Sequence, residues 1–465
     1  MIGYPNILLI VADTLRADGL ALDINNLPNF QYILSRSTAY TNAYSPASWT
    51  LPSHASLFSG LYPSEHGMDF KFEDMNYFKS IVRFPAKAVP LPEKLRRLGY
   101  DTVSIGANPL LGRDTAFEEG FRYDEVVGPW AALEQYERRM KEAAGNRHHL
   151  PWDDVYYASR IDLLKRLASF SVEIGAGKTM EIIGELASLR KTLAAMDFPV
   201  HKGSDQILAN LSAIRLEEPF FLFLNLMEMH EPYSILPNKF PAVEKYCFRG
   251  MATGQFPNRV KVDRVIEGFR RQVRTELRVL DAYLGKILNH LKARGLFEKT
   301  RIIITSDHGQ SLGEDNFVGH KYLLNDALVH APMIIMDRND SSRSIRNEYV
   351  SLVDIPSIVY SWLDGRPAEF PHREYIFSEA YGLNGAWWDE LMGEFANRYR
   401  PVLRKRIWSE SGCSLTLNGS AGKVEEFSCR GAPIPEGKME DVKKELLREM
   451  EIFAGNSNFQ VPLHY

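Results

Sequence analysis

Cysteine is nearly missing from this chain. Cys247, Cys413 and Cys429 are the three in 465 residues, and none stands in a CxxC spacing. A zinc–thiolate site and a disulfide framework are therefore not expected. Also missing is any run of about 18 apolar residues, the length a membrane-spanning helix needs. The N-terminus shows no basic stretch followed by an apolar core and a cleavage site, so no membrane span or leader is read and the expected location is cytoplasmic. Charge of one sign is not in excess either. The 55 Lys and Arg against 59 Asp and Glu leave a formal net charge of -4, which points neither to nucleic acid nor to an anionic membrane surface. Repeats and low-complexity segments are lacking. What is there, 45% hydrophobic and 25% charged residues, is ordinary globular composition, with length for one large α/β domain and a smaller companion.

The first apolar run, Asn6–Ala12, ends at Asp13 and predicts a strand covered on both faces. Pro92 to Leu98 reads as a helix, broken at Gly99-Tyr100, and Thr102 to Gly106 as a strand. This helix–turn–strand rhythm recurs, as in a parallel sheet flanked by helices. Phe220 to Asn225, Arg301 to Thr305 and Ala331 to Met336 are further strands, and Val353 to Leu363 is a helix. A long amphipathic helix carries Val273, Leu277, Leu280, Leu284, Ile287, Leu288 and Leu291 on one face and stops at Gly295. From about 130 to 202 the chain is helical and charged, an insertion suited to a lid or an oligomer contact. After about Arg373, short strand-like pieces (Glu374 to Phe377, Val402 to Trp408, Ser414 to Leu417, Val424 to Ser428) precede a helix from about Met439 to Phe453. The predicted architecture is thus α/β: a catalytic domain over 1–372 with a mostly parallel central sheet, and a C-terminal subdomain over 373–465 with a small antiparallel sheet and a helix.

Asp13 and Asp307 stand at the ends of predicted buried strands, where ligands collect in open α/β sheets. Either one alone reads equally well as a helix cap. His308 beside Asp307 shifts the balance, since oxygen and nitrogen ligands then leave one turn, and Gly309 lets the backbone bend there. In Ser48–Gly60, Thr50 is placed to cap a helix with Pro52 in its first turn. A hydroxyl there faces the positive end of the helix dipole, where a phosphate or sulfate would also settle. Threonine is a weak nucleophile that a divalent cation activates; the plainer reading is a capping residue. Lys321 and His320, in Gly319-His320-Lys321, suit a charge on a tetrahedral anion and a donor to a leaving group, although a His-Lys pair is more often surface decoration. His230 follows another predicted strand and reads as anion contact or as loop packing. Gly175 to Thr179 imitates the end of a phosphate-binding loop, but Val172 stands where that motif needs glycine and no strand precedes it.

Four motifs in register, Leu8–Arg16, Thr50–Leu57 with Gly60–Gly67, Thr305–Gly309 and Gly319–Lys321, resemble the sulfatase branch of the alkaline phosphatase superfamily across most of the chain. The resemblance implies a three-layer alkaline phosphatase-like sandwich, one divalent metal held by Asp13, Asp307 and His308 with Thr50 as ligand and nucleophile, and Lys321 and His230 contacting the anion. His66 falls in a family-typical loop and reads as structural. The chain departs from sulfatases proper at the nucleophile, which in them is Cys or Ser matured to formylglycine. Thr50 cannot give that aldehyde, His54 replaces the following arginine, and Thr14 replaces the second acid of the usual Asp-Asp pair. Threonine resembles instead the phosphoryl-transfer relatives. The expected function is therefore a phosphate, phosphodiester or phosphonate ester hydrolase or transferase using a covalent threonine intermediate and oxygen-preferring Mn²⁺, Mg²⁺ or Ca²⁺, with Zn²⁺ compatible. The alternatives are a sulfatase without formylglycine and a degenerate binding protein. The substrate is expected to be a small-molecule, glycan or lipid-head-group ester, with a homo-oligomer allowed and no nucleic-acid partner.

Overall fold

Strand β1 (Asn6–Ala12) is buried at every position because both faces are covered. Leu8, Ile10 and Ala12 enter one core and Ile7, Leu9 and Val11 the other, the two-residue alternation of an extended chain. The computed structural model describes residues 4–68, 84–85, 88–112, 115–144, 160–234, 239–338, 343–381, 403–419, 422–430 and 436–456. The strands that follow are β2 (Thr38–Tyr44), β3 (Asp101–Gly106), β4 (Tyr123–Val126), β5 (Phe220–Leu226), β6 (Thr300–Thr305), β7 (Ser311–Leu312), β8 (Val318–Gly319), β9 (His330–Met336) and β10 (Ser344–Ser351). Eight of them form one sheet in the order β10-β2-β9-β6-β1-β5-β3-β4. From β6 to β4 all neighbours are parallel. β9 runs antiparallel to β6 and β2, and β10 is parallel to β2.

Helices cover both faces, giving three layers. On one side lie Pro28–Leu34, Pro129–Ala144, Ala176–Ala195, Ser204–Ala213 and Arg259–Ala293; on the other lie Thr50–Ser59, Leu91–Arg97 and Ile355–Leu363. The expected α/β architecture is therefore present. The 35-residue helix Arg259–Ala293 begins well before its apolar stripe. Its first half buries Ile266 and Phe269 on a small cluster with Tyr233 and Phe240, with Val262 and Val265 partly buried beside them, a weaker periodic signal than the stripe on the main core. In the insertion, Arg160–Ile174 and Ala176–Ala195 are joined at Gly175, whose φ is +87°. Gly175 to Thr179 is thus a helix junction with no strand before it, and 145–159 lies outside the described residues.

The second sheet, β11 (Tyr375–Ala380), β12 (Arg404–Ser409), β13 (Cys413–Asn418) and β14 (Lys423–Cys429), is antiparallel throughout. The helix Glu436–Asn456 packs Leu446 and Met450 against it; Val402 of the predicted strand lies outside the described residues. Here one expectation fails. Cys413 and Cys429 form a disulfide, because the β13–β14 hairpin makes them direct cross-strand partners, a proximity their sequence spacing does not display. Among the described residues no helix is long and apolar enough to cross a membrane.

Candidate active site

The carboxyl ends of neighbouring parallel strands deliver the polar side chains. Asp13 follows β1, Asp307 and His308 follow β6, His230 lies beyond β5, and Asn108 follows β3. Asp13, Asp307 and His308 offer ligand atoms that all lie within 4.8 Å of one another, and none of the three residues is exposed. Thr50 is the first residue of Thr50–Ser59, with Trp49 at the cap position and no side-chain cap bond. The capping role expected of Thr50 is therefore absent: its Oγ1 lies 3.4 Å from His308 Nε2, turned to the trio and not to its own helix. Ser53 ties that helix to the same turn by donating to the Asp307 carbonyl at 2.6 Å.

Gly309 acts differently from the expectation. It is not among the positive-φ glycines. An added Cβ there would lie 2.1 Å from the Ala327 carbonyl oxygen, so close approach demands glycine. Backbone in the left-handed region occurs instead at Thr14 (φ +61°) and Lys321 (φ +86°), both flanking the site, a strained setting for side chains of their bulk.

The trio fits a cation. Asp13 Oδ1 and Asp307 Oδ2 are buried with no hydrogen-bond partner among the described residues, an arrangement that is costly unless a positive charge completes it. His308 Nδ1 lies 2.8 Å from the Gly309 carbonyl, so a proton held there leaves the Nε2 lone pair facing Asp13 and Asp307 at 3.7 and 3.4 Å. Burial, reinforced by Asp307, raises the Asp13 carboxyl to about 6. Burial raises Asp307 to about 7 against the hydrogen bonds it accepts, and lowers His308 to about 4 against the pull of Asp13.

The remaining sequence candidates surround this centre. His320 stacks on His308 at 4.8 Å between ring centroids, and His230 meets His320 edge-on at 5.2 Å. Lys321 is drawn to the segment before Thr50, its backbone N–H donating to the Ser48 carbonyl at 2.9 Å and its Nζ lying 6.0 Å from the Trp49 ring. His54 is fully buried, with Nδ1 2.9 Å from the Thr50 carbonyl and 3.5 Å from Asp307 Oδ2. Phe58, Phe117 and Phe223 wall its ring, and burial lowers its pKa to about 3, so it is neutral. His66 bridges Ser56 and the Met68 backbone, as its structural reading requires.

Three neighbours escaped the sequence reading. Asn108 donates to Asp13 Oδ2 at 2.9 Å and accepts from Leu110 N–H; its signal was an Asn-Pro turn at a strand end. Gln310 Oε1 lies 2.9 Å from His320 Nδ1. Glu231 lies 3.5 Å from His230 and 3.8 Å from His320, so that these three form a second group of metal-ligand type. Beyond Thr14 and Gln310 a cavity of about 380 Å³ opens, walled by Leu15, Tyr233 and Leu277.

A model of the Sulfatase family matches residues 5–365. The multifunctional alkaline phosphatase superfamily protein PehA of Trinickia caryophylli is 23% identical over 89% of this chain and 85% of its own length. Arylsulfatase K of Bos taurus is 25% identical over 82% of this chain and 70% of its own length. Among solved structures, a phosphonate monoester hydrolase from Silicibacter pomeroyi superposes with a TM-score of 0.59 at 17% identity, covering 99% of this chain and 96% of that one.

Proposed function

The chain belongs to the sulfatase family of the alkaline phosphatase superfamily and is an ester hydrolase of that kind; from that premise we propose that its substrates are phosphate, phosphodiester or phosphonate esters, with Thr50 as the nucleophile. One observation carries this reading. The Thr50 hydroxyl makes no helix cap and faces His308 Nε2 at 3.4 Å within the buried Asp13–Asp307–His308 group. A divalent cation held by these residues would lower the hydroxyl's pKa and polarise the ester.

In the proposed reaction the Thr50 oxygen bonds to phosphorus as the bond to the leaving oxygen breaks. A water or alcohol oxygen then displaces Thr50, which is restored. Lys321 and His230 neutralise charge on the non-bridging oxygens. His320 donates a hydrogen bond from Nε2 to the leaving oxygen, which takes up through solvent the proton that Thr50 gives up on attack; in the neutral imidazole this requires Nδ1 to accept a hydrogen bond. The Gln310 amide supplies one if it turns its NH₂ to that nitrogen, and Gln310 Nε2, buried and without a partner among the described residues, is the group such a turn would satisfy. His54, walled off from solvent, supports Thr50 and Asp307 from behind. The edge of Trp130 against His230, 5.7 Å between ring centroids, brings the first helix of the insertion to the site, where it would grip the organic moiety.

The likeness to PehA and to a phosphonate monoester hydrolase supports phosphorus esters; the likeness to arylsulfatase K supports a sulfatase using threonine in place of an aldehyde. Assay of an aryl phosphodiester, a phosphonate monoester and an aryl sulfate, with added Mn²⁺, Mg²⁺, Ca²⁺ or Zn²⁺ and with chelator, separates the two. The phosphorus esters should be turned over, with a phosphorylated Thr50 peptide after acid quench. Thr50→Ala should lose roughly 10³-fold or more in kcat. Turnover of the sulfate alone, or an undiminished Thr50→Ala variant, would overturn the proposal.

A further inference from the structure

Lys202 has no exposed surface, belongs to no motif, and lies two residues before the helix Ser204–Ala213. Its ammonium donates to the Glu228 carbonyl at 2.8 Å and to the His230 carbonyl at 2.5 Å. It also lies 3.6 Å from Glu276 Oε2 on the long helix and 5.3 Å from the centre of the Tyr233 ring. These contacts fasten the turn that leaves β5, within which the His230 N–H donates to the Met227 carbonyl and His230 Nδ1 lies 2.7 Å from the Glu231 carbonyl. The backbone beside Lys202 is itself pinned. Gly203 has φ +126°, and an added Cβ would lie 2.6 Å from Ala107 Cβ, while Ser204 N–H donates to Glu228 Oε1 at 3.1 Å.

An ammonium in the interior loses its hydration, and replacing a whole buried ion pair by apolar side chains of similar size commonly leaves stability unharmed, whereas removing one partner strands the other. Packing alone would thus be served by methionine at 202 with an uncharged partner at 276. What methionine cannot do is present several converging donors to two carbonyls that flank one side chain. That side chain, His230, meets His320 and through it His308.

We propose that Lys202 is a positioning residue for the ester reaction: its buried ammonium, bridging the Glu228 and His230 carbonyls to Glu276, holds the His230 imidazole against the transferred group. The proposal rests on the reading of His230 as an anion contact. Displacement of a catalytic contact by about an ångström is enough to slow a reaction markedly, which a loosened turn would produce.

The test is a double-mutant cycle in the full-length protein supplied with Mn²⁺. Lys202→Met should fold with a lowered melting temperature, Glu276 being left without its partner, and keep its metal content while losing about 10–100-fold in kcat/KM, the usual effect of removing a group that orients a contact. In a His230→Ala background the same substitution should change little, because the two act through one imidazole. Losses that multiply in the double variant, or loss of metal with Lys202→Met, would show a general structural role and overturn the proposal. If Lys202→Met does not fold, Lys202→Arg passes through the same cycle. If the wild-type protein turns over no ester, the functional reading falls, and calorimetry with inorganic phosphate still decides this one. Lys202→Met should weaken phosphate binding beside His230 and leave it unaltered beside Ala; equal affinity in all four proteins would overturn it.

Discussion

Asp13 and Asp307 face each other without solvent, and burial holds their carboxyls at about 6 and about 7, above the usual carboxylate range. In the metal-free fold they prefer the protonated form, so their contribution to stability is present at low pH and is lost as pH rises through those values. Cation binding runs the other way, since it needs both carboxylates ionised. Metal affinity should therefore climb between about pH 5 and pH 8 and level off above, with a matching growth in the melting-temperature gap between metal-loaded and metal-free protein. His54 and His308, lowered by burial to about 3 and about 4, have the opposite sign: they favour the fold while neutral, and that stability is lost as pH falls below the ordinary histidine value. A gap that stays constant from about pH 5 to pH 8 would show that these carboxylates do not receive the ion.

At the scale of elements, the site is assembled by turns leaving strand ends and by one helix start. The Asp307–Gly309 turn packs so closely on the segment before β9 that a methyl group at Gly309 meets the Ala327 carbonyl. Gly309→Ala should cost about 1–3 kcal/mol, the range for forcing atoms into a filled space, read as a lowered urea midpoint. Bound metal should fall with it, because Asp307 and His308 would shift together. An unchanged midpoint and metal content would mean that the turn yields freely. How legible these elements were followed the strength of their patterns. β1, β5 and β6 are covered on both faces and read as apolar runs. β2, TAYTNAY, partly buried beside the edge strand, and β10, the edge itself with half its residues exposed, carry no such run, because these positions ask for less burial.

At the scale of the molecule, the second sheet meets the first through an apolar cluster of Tyr44 with Ile376 and Trp408 and is tied to the helix Pro63–His66 by a buried polar group. Glu379 of β11 has no exposed surface, accepts from the Ser64 N–H at 2.8 Å and pairs with Lys405 of β12 at 2.7 Å. Away from that junction the Cys413–Cys429 bridge closes a separation of 16 residues. A loop of that length is worth roughly 3 kcal/mol in chain entropy. The Cys413→Ser, Cys429→Ser double variant should lose stability of that order in the second sheet and leave kcat unchanged, since neither sulfur approaches the Asp13–Asp307–His308 group. Alkylation of the denatured, unreduced protein should label Cys247 alone; three labelled cysteines would remove the bridge.

The sequence by itself determined the layers and which polar groups stand at the strand ends. Two-sided apolar runs can bury only within a sheet covered on both faces, and an acid, an Asp-His pair and a threonine-led helix stood at fixed positions relative to those runs. Only the tertiary structure decided what those groups do to one another. Whether Thr50 caps its helix or faces His308, whether Gly309 serves conformation or clearance, whether Cys413 meets Cys429, and that Lys202 lies beneath His230 are all distances between segments remote in the chain. Local periodicity carries no information about such distances, because they arise only when separate elements pack.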